Sequence, residues 1–306
     1  MGLHICTQDN RPEGRAANLA TIRPLGVWRS LVARSVRVGE APSSNLGTPT
    51  GSGKGGPCGN VRFLRASRPP DSRRWFTCTV LRAVVFDVDF TLARPGPDLG
   101  PAGYRELGLR HGLDLDPARY ETARAEAIAE VKRHPELDHD EEIWILFTER
   151  IIRGMGGTGD TYAAAVEMES RWVHSAHFEL YDDALPALAD LRAHGLRIGL
   201  LSNSSRDLDD FVVHHRLDVD ATLTSRSHGK TKPHATIFLA LLERLGVPPE
   251  EAAMVGDTIE DDVEGARAVG MHAVLLDRDG RHPELQPRLD DLRGLAAALG
   301  LLAAQQ

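Results

Sequence analysis

Cysteine is scarce in this chain. Of its 306 residues three are cysteines, Cys6, Cys58 and Cys78, and all of them lie before residue 80. The remainder of the sequence can therefore form neither a disulfide framework nor a thiolate metal site. We expect that part to rely on a hydrophobic core of its own and to work in the cytoplasm.

Long apolar runs are also missing. No stretch approaches the roughly 18 apolar residues that span a bilayer. The opening residues, MGLHICTQDN, lack the basic and apolar regions of a secretory signal. These absences predict that the chain has no membrane partner.

Acidic side chains are rare at the start of the chain. Residues 1–80 hold 12 Lys+Arg and four Asp+Glu, a net charge of +8, whereas the rest has a net charge of −16. Residues 1–79 are rich in Arg, Gly, Pro and Ser without periodicity, which predicts a disordered basic extension. It is either sequence translated from a start codon assigned too early, which we favour, or an organelle transit peptide, or a basic arm for nucleic acid. We do not expect a nucleic-acid partner, and only a transit peptide would place the protein in an organelle.

From residue 82 onward a regular pattern begins. Strand-length apolar runs recur, and helical patterns separate the later ones, as in Ile237–Leu245, which stops at Gly246. Apolar strands alternating with helices predict an α/β fold: a doubly wound, Rossmann-like parallel sheet with helices on both faces. The predicted strands are Ala83–Phe86, Ile198–Leu201, Ala221–Leu223, Ala252–Val255 and His272–Leu276.

Between the first two runs, roughly a hundred residues show helical patterns and no strand pattern. The predicted helices start near Gly100, Pro117, His139 and Asp160. We predict a core domain formed by residues 80–96 and 178–306, with a helical cap domain, residues 97–177, inserted after the first strand. That insertion would stand over the carboxyl end of the sheet.

Polar side chains follow the predicted strands. The carboxyl ends of parallel strands meet at one edge of a sheet, so a carboxylate, a hydroxyl, a cation and a further acid would converge there. A helix N-cap, a turn or a solvated loop would account for each position taken alone. The positions are Asp87 and Asp89, Ser202-Asn203, Lys232-Pro233, and Gly256-Asp257 with Asp262.

In these positions the chain resembles the haloacid dehalogenase superfamily of hydrolases, in the branch with a helical cap after the first strand. The resemblance covers roughly residues 82–300 and includes four motifs in order. They are D-x-D-x-[TV] at Asp87, Asp89 and Thr91, a Ser or Thr at Ser202, a Lys at Lys232, and G-D with a further acid at Gly256, Asp257 and Asp262.

The resemblance implies catalytic roles for three residues. Asp87 would attack phosphorus and form an aspartyl-phosphate. Asp89 would protonate the leaving oxygen and then deprotonate water. Lys232 would neutralise charge on the nucleophile and on the phosphate.

It also implies a metal and a phosphate site. Mg²⁺ would be held by the side chains of Asp87 and Asp257 and by the backbone carbonyl of Asp89, and Asp262 would support this metal shell. The groups placed around the phosphate are Thr91, Ser202, the backbone N–H groups around Asn203, and Lys232.

The presence of Asp89 favours one reaction of this family over the others. Dehalogenases of the family lack this second aspartate, and phosphonate hydrolysis uses a cap lysine, whereas this cap has Lys132 alone. We therefore predict a Mg²⁺-dependent phosphomonoester hydrolase, monomeric or homodimeric, acting on a small phosphorylated substrate. A phosphomutase is the alternative, followed by a 2-haloacid dehalogenase or a non-catalytic binding protein, which would be expected to have lost Asp87 or Lys232.

Overall fold

A computed structural model describes residues 80–301 of the chain. The predicted basic extension, residues 1–79, and the last five residues of the predicted core domain lie outside these described residues. Within the described range, no helix combines the length and the apolar character that crossing a membrane requires.

The centre of the fold is a six-stranded sheet in which every pairing is parallel, in the order β5-β4-β1-β6-β7-β8. A separate antiparallel pair joins β2 and β3. The strands are β1 Ala83–Phe86, β2 Ala93–Pro95, β3 Phe178–Leu180, β4 Arg197–Ser202, β5 Ala221–Thr224, β6 Ala252–Gly256, β7 His272–Leu276 and β8 Arg288–Leu289.

Ten α-helices accompany these strands in the described residues, and a π-helical turn, Ile259–Glu264, follows β6. The helices are α1 Pro101–Arg110, α2 Tyr120–Glu130, α3 Glu141–Gly154, α4 Thr161–Trp172, α5 Ala184–Ala193, α6 Leu208–His215, α7 Ser225–His228, α8 Ala235–Leu245, α9 Gly265–Ala268 and α10 Leu295–Ala298.

Both faces of the sheet are covered, because alternate residues of each strand point to opposite sides. Val84 and Phe86 of β1 belong to the hydrophobic cluster that includes residues of α5, α6 and α10. Ala83 and Val85 belong to the cluster formed with α8 and α9. The α/β doubly wound fold predicted from the sequence is therefore confirmed.

The helices of the core bury most of the apolar residues that their sequence patterns predict. In α8 the predicted apolar face is buried, and Gly246 stops the helix in the left-handed conformation with φ 63°, which glycine adopts at little cost. In α5, Leu188 and Leu191 are buried as the pattern predicts, but Leu185 is 48% exposed, so the apolar face of this helix is narrower than its leucines suggest.

The helical segment, residues 97–177, contains α1–α4 and lies between β2 and β3 in the sequence. These two strands pair with each other, with Ala93 opposite Leu180 and Pro95 opposite Phe178. The chain therefore leaves and re-enters the sheet domain at one place. Helices α1–α4 start at or shortly after the predicted positions.

Candidate active site

The sheet places Asp87 at the end of its central strand. The backbone N–H of Asp87 donates to the carbonyl of Val255 over 2.9 Å, which holds the residue between β1 and β6. Its side chain is nearly buried, at 7% exposure. A carboxylate in such a position requires a partner.

Lys232 is that partner. Its Nζ donates to Asp87 Oδ1 over 2.7 Å, to Asp262 Oδ1 over 2.6 Å and to the carbonyl of Leu201 over 3.2 Å. Lys232 is 2% exposed and Asp262 is 0% exposed, so one ammonium group joins two carboxylates away from solvent. Burial lowers the pKa of Lys232, but the charges of Asp262 and Asp87 outweigh it and raise the pKa above its ordinary value.

A third carboxylate, Asp257, completes an acidic cluster. One oxygen each of Asp87, Asp257 and Asp262 lie within 4.8 Å of one another. Burial raises the pKa of Asp87 to about 7 although Lys232 opposes the rise. Burial and the charges of Asp87 and Asp262 also hold the pKa of Asp257 well above its usual value.

The donor set fits a hard divalent cation. Three ionised carboxylates against the single ammonium group of Lys232 would leave an excess of two negative charges. All the donors are oxygen atoms, which Mg²⁺ prefers, and a cation there would favour the ionised form of each acid. Asp262, expected only to support the metal shell, lies within the cluster itself.

The Gly-Asp motif has a steric reason in this cluster. A Cβ atom at position 256 would overlap the carboxyl group of Asp262, so the close approach requires glycine. The backbone N–H of Thr258 donates to Asp262 Oδ2 over 3.0 Å. The π-helical turn that begins at Ile259 thereby directs Asp262 back toward Lys232.

Ser202 is the last residue of β4, and Asn203 follows it. The side chains of these two residues have different contacts. Ser202 Oγ donates to Ser204 Oγ over 3.0 Å. The side-chain amide of Asn203 forms two hydrogen bonds with the backbone of Lys232. Its Oδ1 accepts from the Lys232 N–H over 2.7 Å, and its Nδ2 donates to the Lys232 carbonyl over 3.1 Å. The side chain of Asn203 thus positions Lys232, and it leaves the backbone N–H groups around Asn203 as the groups expected at the phosphate.

Thr91 is not brought to the other predicted phosphate-binding residues. It is fully buried, and it is not among the described residues that line the cavity at the sheet edge. Its hydroxyl has no hydrogen-bond partner within residues 80–301, and its carbonyl accepts from Arg278 Nη2 over 2.9 Å. Its position fits a role in ordering the loop after Asp87.

Asp89 is not one of the three clustered carboxylates, and it contacts a residue that the sequence analysis missed. Arg206 Nη1 donates to Asp89 Oδ1 over 2.9 Å. Arg206 is 2% exposed, and its guanidinium carbon lies 3.5 Å from the centre of the Phe178 ring. In sequence Arg206 belongs to a polar loop and resembles a solvated residue, so nothing local indicated its burial.

A cavity of about 120 Å³ lies beside the site residues. It is larger than the roughly 10–15 Å³ that a single water requires. The core contributes Asp87, Asp89, Ser202, Arg206 and Lys232 to its wall. The residues of the helical segment that line the same cavity are Trp144, Phe147, Thr148, Glu169, Trp172 and Val173. A small organic molecule would fit between the two.

The loop between α2 and α3 ties the helical segment to the core beside this cavity. Arg133 pairs with Asp261, and Lys230 Nζ lies 2.6 Å from Asp138 Oδ1. His139 is hydrogen-bonded to Ser225 Oγ over 2.9 Å. Burial raises the pKa of Asp261 to about 7 despite the charge of Arg133.

Comparisons with known proteins show the family of the chain. The family model of haloacid dehalogenase-like hydrolases matches residues 81–270. The chain is 32% identical over 257 residues to phosphoserine phosphatase of Thermus thermophilus, covering 72% of this chain and 100% of that protein. It is 29% identical over 221 residues to glyceraldehyde 3-phosphate phosphatase of Methanopyrus kandleri, covering 69% and 90%. The solved structure of a phosphatase from Thermococcus onnurineus matches with a TM-score of 0.53 and 27% identity, covering 72% of this chain and 98% of that one.

Proposed function

Because the chain belongs to the haloacid dehalogenase-like hydrolases, we propose that it is a Mg²⁺-dependent phosphomonoester hydrolase acting on a small phosphorylated metabolite. The observation that carries this proposal is that Lys232 forms buried ion pairs with Asp87 and Asp262 at the carboxyl end of the sheet. The relatives named as phosphatases support the reaction class. The helical segment acts as a cap that encloses the leaving group and limits access of water.

In the first step an Asp87 carboxylate oxygen attacks phosphorus. The new oxygen–phosphorus bond forms as the bond to the leaving alcohol breaks, and Asp89 gives that alcohol oxygen its proton. In the second step water attacks phosphorus, Asp89 takes its proton, and inorganic phosphate leaves. Asp87 is then a carboxylate again and Asp89 is again protonated.

Charge control is the main task of the surrounding groups. A carboxylate that approaches a phosphate dianion is repelled, and the ammonium group of Lys232 reduces that repulsion. The side chains of Asp87 and Asp257 and the backbone carbonyl of Asp89 would hold the metal ion, which would supply further positive charge at the reacting phosphate. Asp262, hydrogen-bonded to Lys232 and Thr258, would support this metal shell. Ser202 lines the cavity next to Asp87 and would donate its hydroxyl to a phosphoryl oxygen. Asn203 acts on this site by fixing Lys232.

Metal dependence tests this function directly. With the full chain and Mg²⁺, a panel of phosphomonoesters should release inorganic phosphate. Chelation should lower the rate by at least about 100-fold, since a bound cation contributes several kcal/mol to the transition state, and added Mg²⁺ should restore it. Full activity in chelator, or isomerised sugar phosphate without release of phosphate, would contradict the proposal.

Arg206 should act as a positioning residue for Asp89. Arg206→Met keeps much of the side-chain volume but removes the hydrogen bond to Asp89. We expect kcat for alkyl phosphates to fall about 100-fold, within the range of lost general-acid catalysis. The burst-phase rate of p-nitrophenolate release from p-nitrophenyl phosphate should fall less, because p-nitrophenolate leaves without a proton in the first step.

The matched control for this prediction is Arg105→Met, which removes an exposed arginine from α1 and should leave both rates nearly unchanged. An equal loss with both kinds of leaving group in Arg206→Met would indicate a general structural effect instead. Thermal unfolding of both variants separates that effect from the loss of orientation.

A further inference from the structure

Glu169 is a carboxylate inside the helical segment that the reaction does not use. It lies on α4 and lines the cavity opposite the sheet edge. Burial raises its pKa to about 7. Thr148 Oγ1 donates to it, and within residues 80–301 no Lys, Arg or His forms a salt bridge with it. Glu169 is half-buried, and a carboxylate shielded from water without a cation is costly to ionise unless a ligand supplies the charge.

Aromatic side chains surround this end of the cavity. Trp144, Phe147 and Trp172 line it together with Glu169. The rings of Trp144 and Phe147 meet edge to face with their centroids 6.2 Å apart. Aromatic faces attract cations and also exclude water from around them. We refer to these four residues as the aromatic-acid subsite.

The charged side chains of the cavity wall differ between the core and the helical segment. Among the described residues that line it, the cations are Lys232 and Arg206. Lys232 is paired with Asp87 and Asp262, and Arg206 with Asp89. The helical segment adds no lysine or arginine to the described lining. Arg206 Nη2 also donates to the carbonyl of Trp172 over 3.4 Å, but its charge is balanced by Asp89. The carboxylate of Glu169 therefore keeps an uncompensated negative charge that would disfavour an anionic leaving group.

We propose that the aromatic-acid subsite binds the cationic nitrogen of the leaving group, so that the substrate is the phosphate monoester of an amino alcohol. This inference rests on the proposed function. The phosphate lies at the Lys232 end, and the ammonium group lies between the aromatic rings and Glu169. Substrate and cavity then have complementary charge distributions.

Three series of substrates test this assignment with the wild-type chain and Mg²⁺. They are ω-aminoalkyl phosphates of increasing length, n-alkyl phosphates of equal heavy-atom length, and ω-carboxyalkyl phosphates. At the best length we expect kcat/KM for the amine to exceed that for its alkyl counterpart at least about tenfold, as for a hydrogen bond to a charged partner. The carboxylates should be the poorest substrates. Equal rates for amine and alkyl compounds at every length would overturn the proposal.

Variants then assign the preference to Glu169. In Glu169→Gln the amine-to-alkyl ratio of kcat/KM should fall to near one, and Gln can still accept the Thr148 hydrogen bond. Glu126→Gln, at an exposed position of α2, removes the same charge outside the cavity and should keep the wild-type ratio. If Glu169→Gln keeps that ratio while folded by circular dichroism, the subsite is misassigned.

The two proposals fail in different ways. Hydrolysis of p-nitrophenyl phosphate without a preference for amines would refute the aromatic-acid subsite and leave the phosphatase assignment standing. Failure to hydrolyse any phosphomonoester with Mg²⁺ present would instead refute the proposed function. Inhibition by free amino alcohols, compared with neutral alcohols of equal length, provides a readout with the wild-type protein alone.

Discussion

Asp87→Asn should lower kcat for phosphomonoester hydrolysis by at least about 10⁴-fold, because loss of a nucleophile removes the covalent pathway. The amide that replaces the carboxylate is a poor nucleophile toward phosphorus. It also removes one of the three negative charges in the acidic cluster. Initial rates of phosphate release with Mg²⁺ at saturating substrate measure the effect.

The fold should survive this substitution. Asn has the shape of Asp, and Lys232 keeps its contact of 2.6 Å with Asp262. Neutralising one carboxylate also lessens repulsion with Asp257 and Asp262. The matched control is Asp114→Asn at an exposed position in the helical segment, which should retain wild-type activity. Substantial phosphatase activity in folded Asp87→Asn would show that another group is the nucleophile.

Lys232→Met should damage both stability and activity. It leaves Asp87 and Asp262 buried without their cation, and removing one partner of a buried ion pair costs about 3–5 kcal/mol. Loss of a preorganised positive group from the reacting centre should lower kcat about 100- to 1,000-fold. Urea unfolding gives the free energy, and phosphate release gives the rate.

Lys230→Met is the control two residues away. Lys230 pairs with Asp138 at the surface, where both side chains are partly exposed, and such pairs contribute at most about 1 kcal/mol. Lys232→Met should therefore lower the free energy of unfolding several times more than Lys230→Met. Equal losses in the two variants would mean that Lys232 is not the charge centre of the site.

The sequence predicted those parts of the fold that depend on local pattern. The bounds of β1 and β7 agree with their apolar runs, because strands covered on both faces are apolar throughout. Parallel strands end at one edge of a sheet, so the sequence alone predicts that Asp87, Ser202 and Asp257 lie close together. The arrangement of the site around Lys232 follows from the same rule.

The sequence analysis missed β2, β3 and β8, which are too short to show a strand pattern. β8 comprises two residues, Arg288–Leu289, and β2 contains Pro95, so neither has the length or alternation of a strand. Each gains its hydrogen bonds from a neighbour distant in sequence: β8 from β7, and β2 from β3.

Arg206 and Asn203 show the same limit in the site. Arg206 is separated from Asp89 by 117 positions, and it packs on Phe178, which is itself distant in sequence. The side-chain amide of Asn203 bonds the backbone of Lys232 at both ends, a contact between residues 29 positions apart. Contacts that depend on tertiary packing cannot be read from motif order.

The central claim is that Asp87 becomes phosphorylated and Asp89 assists its hydrolysis. The most direct measurement uses Asp89→Asn with p-nitrophenyl phosphate and Mg²⁺, since that leaving group needs no proton but hydrolysis of the intermediate still needs a base. We predict a burst of p-nitrophenolate equal to the enzyme concentration, and acid-quenched protein whose peptide containing Asp87 is heavier by one phosphoryl group. Steady turnover with no burst, or the added phosphoryl group on a peptide without Asp87, would contradict the account.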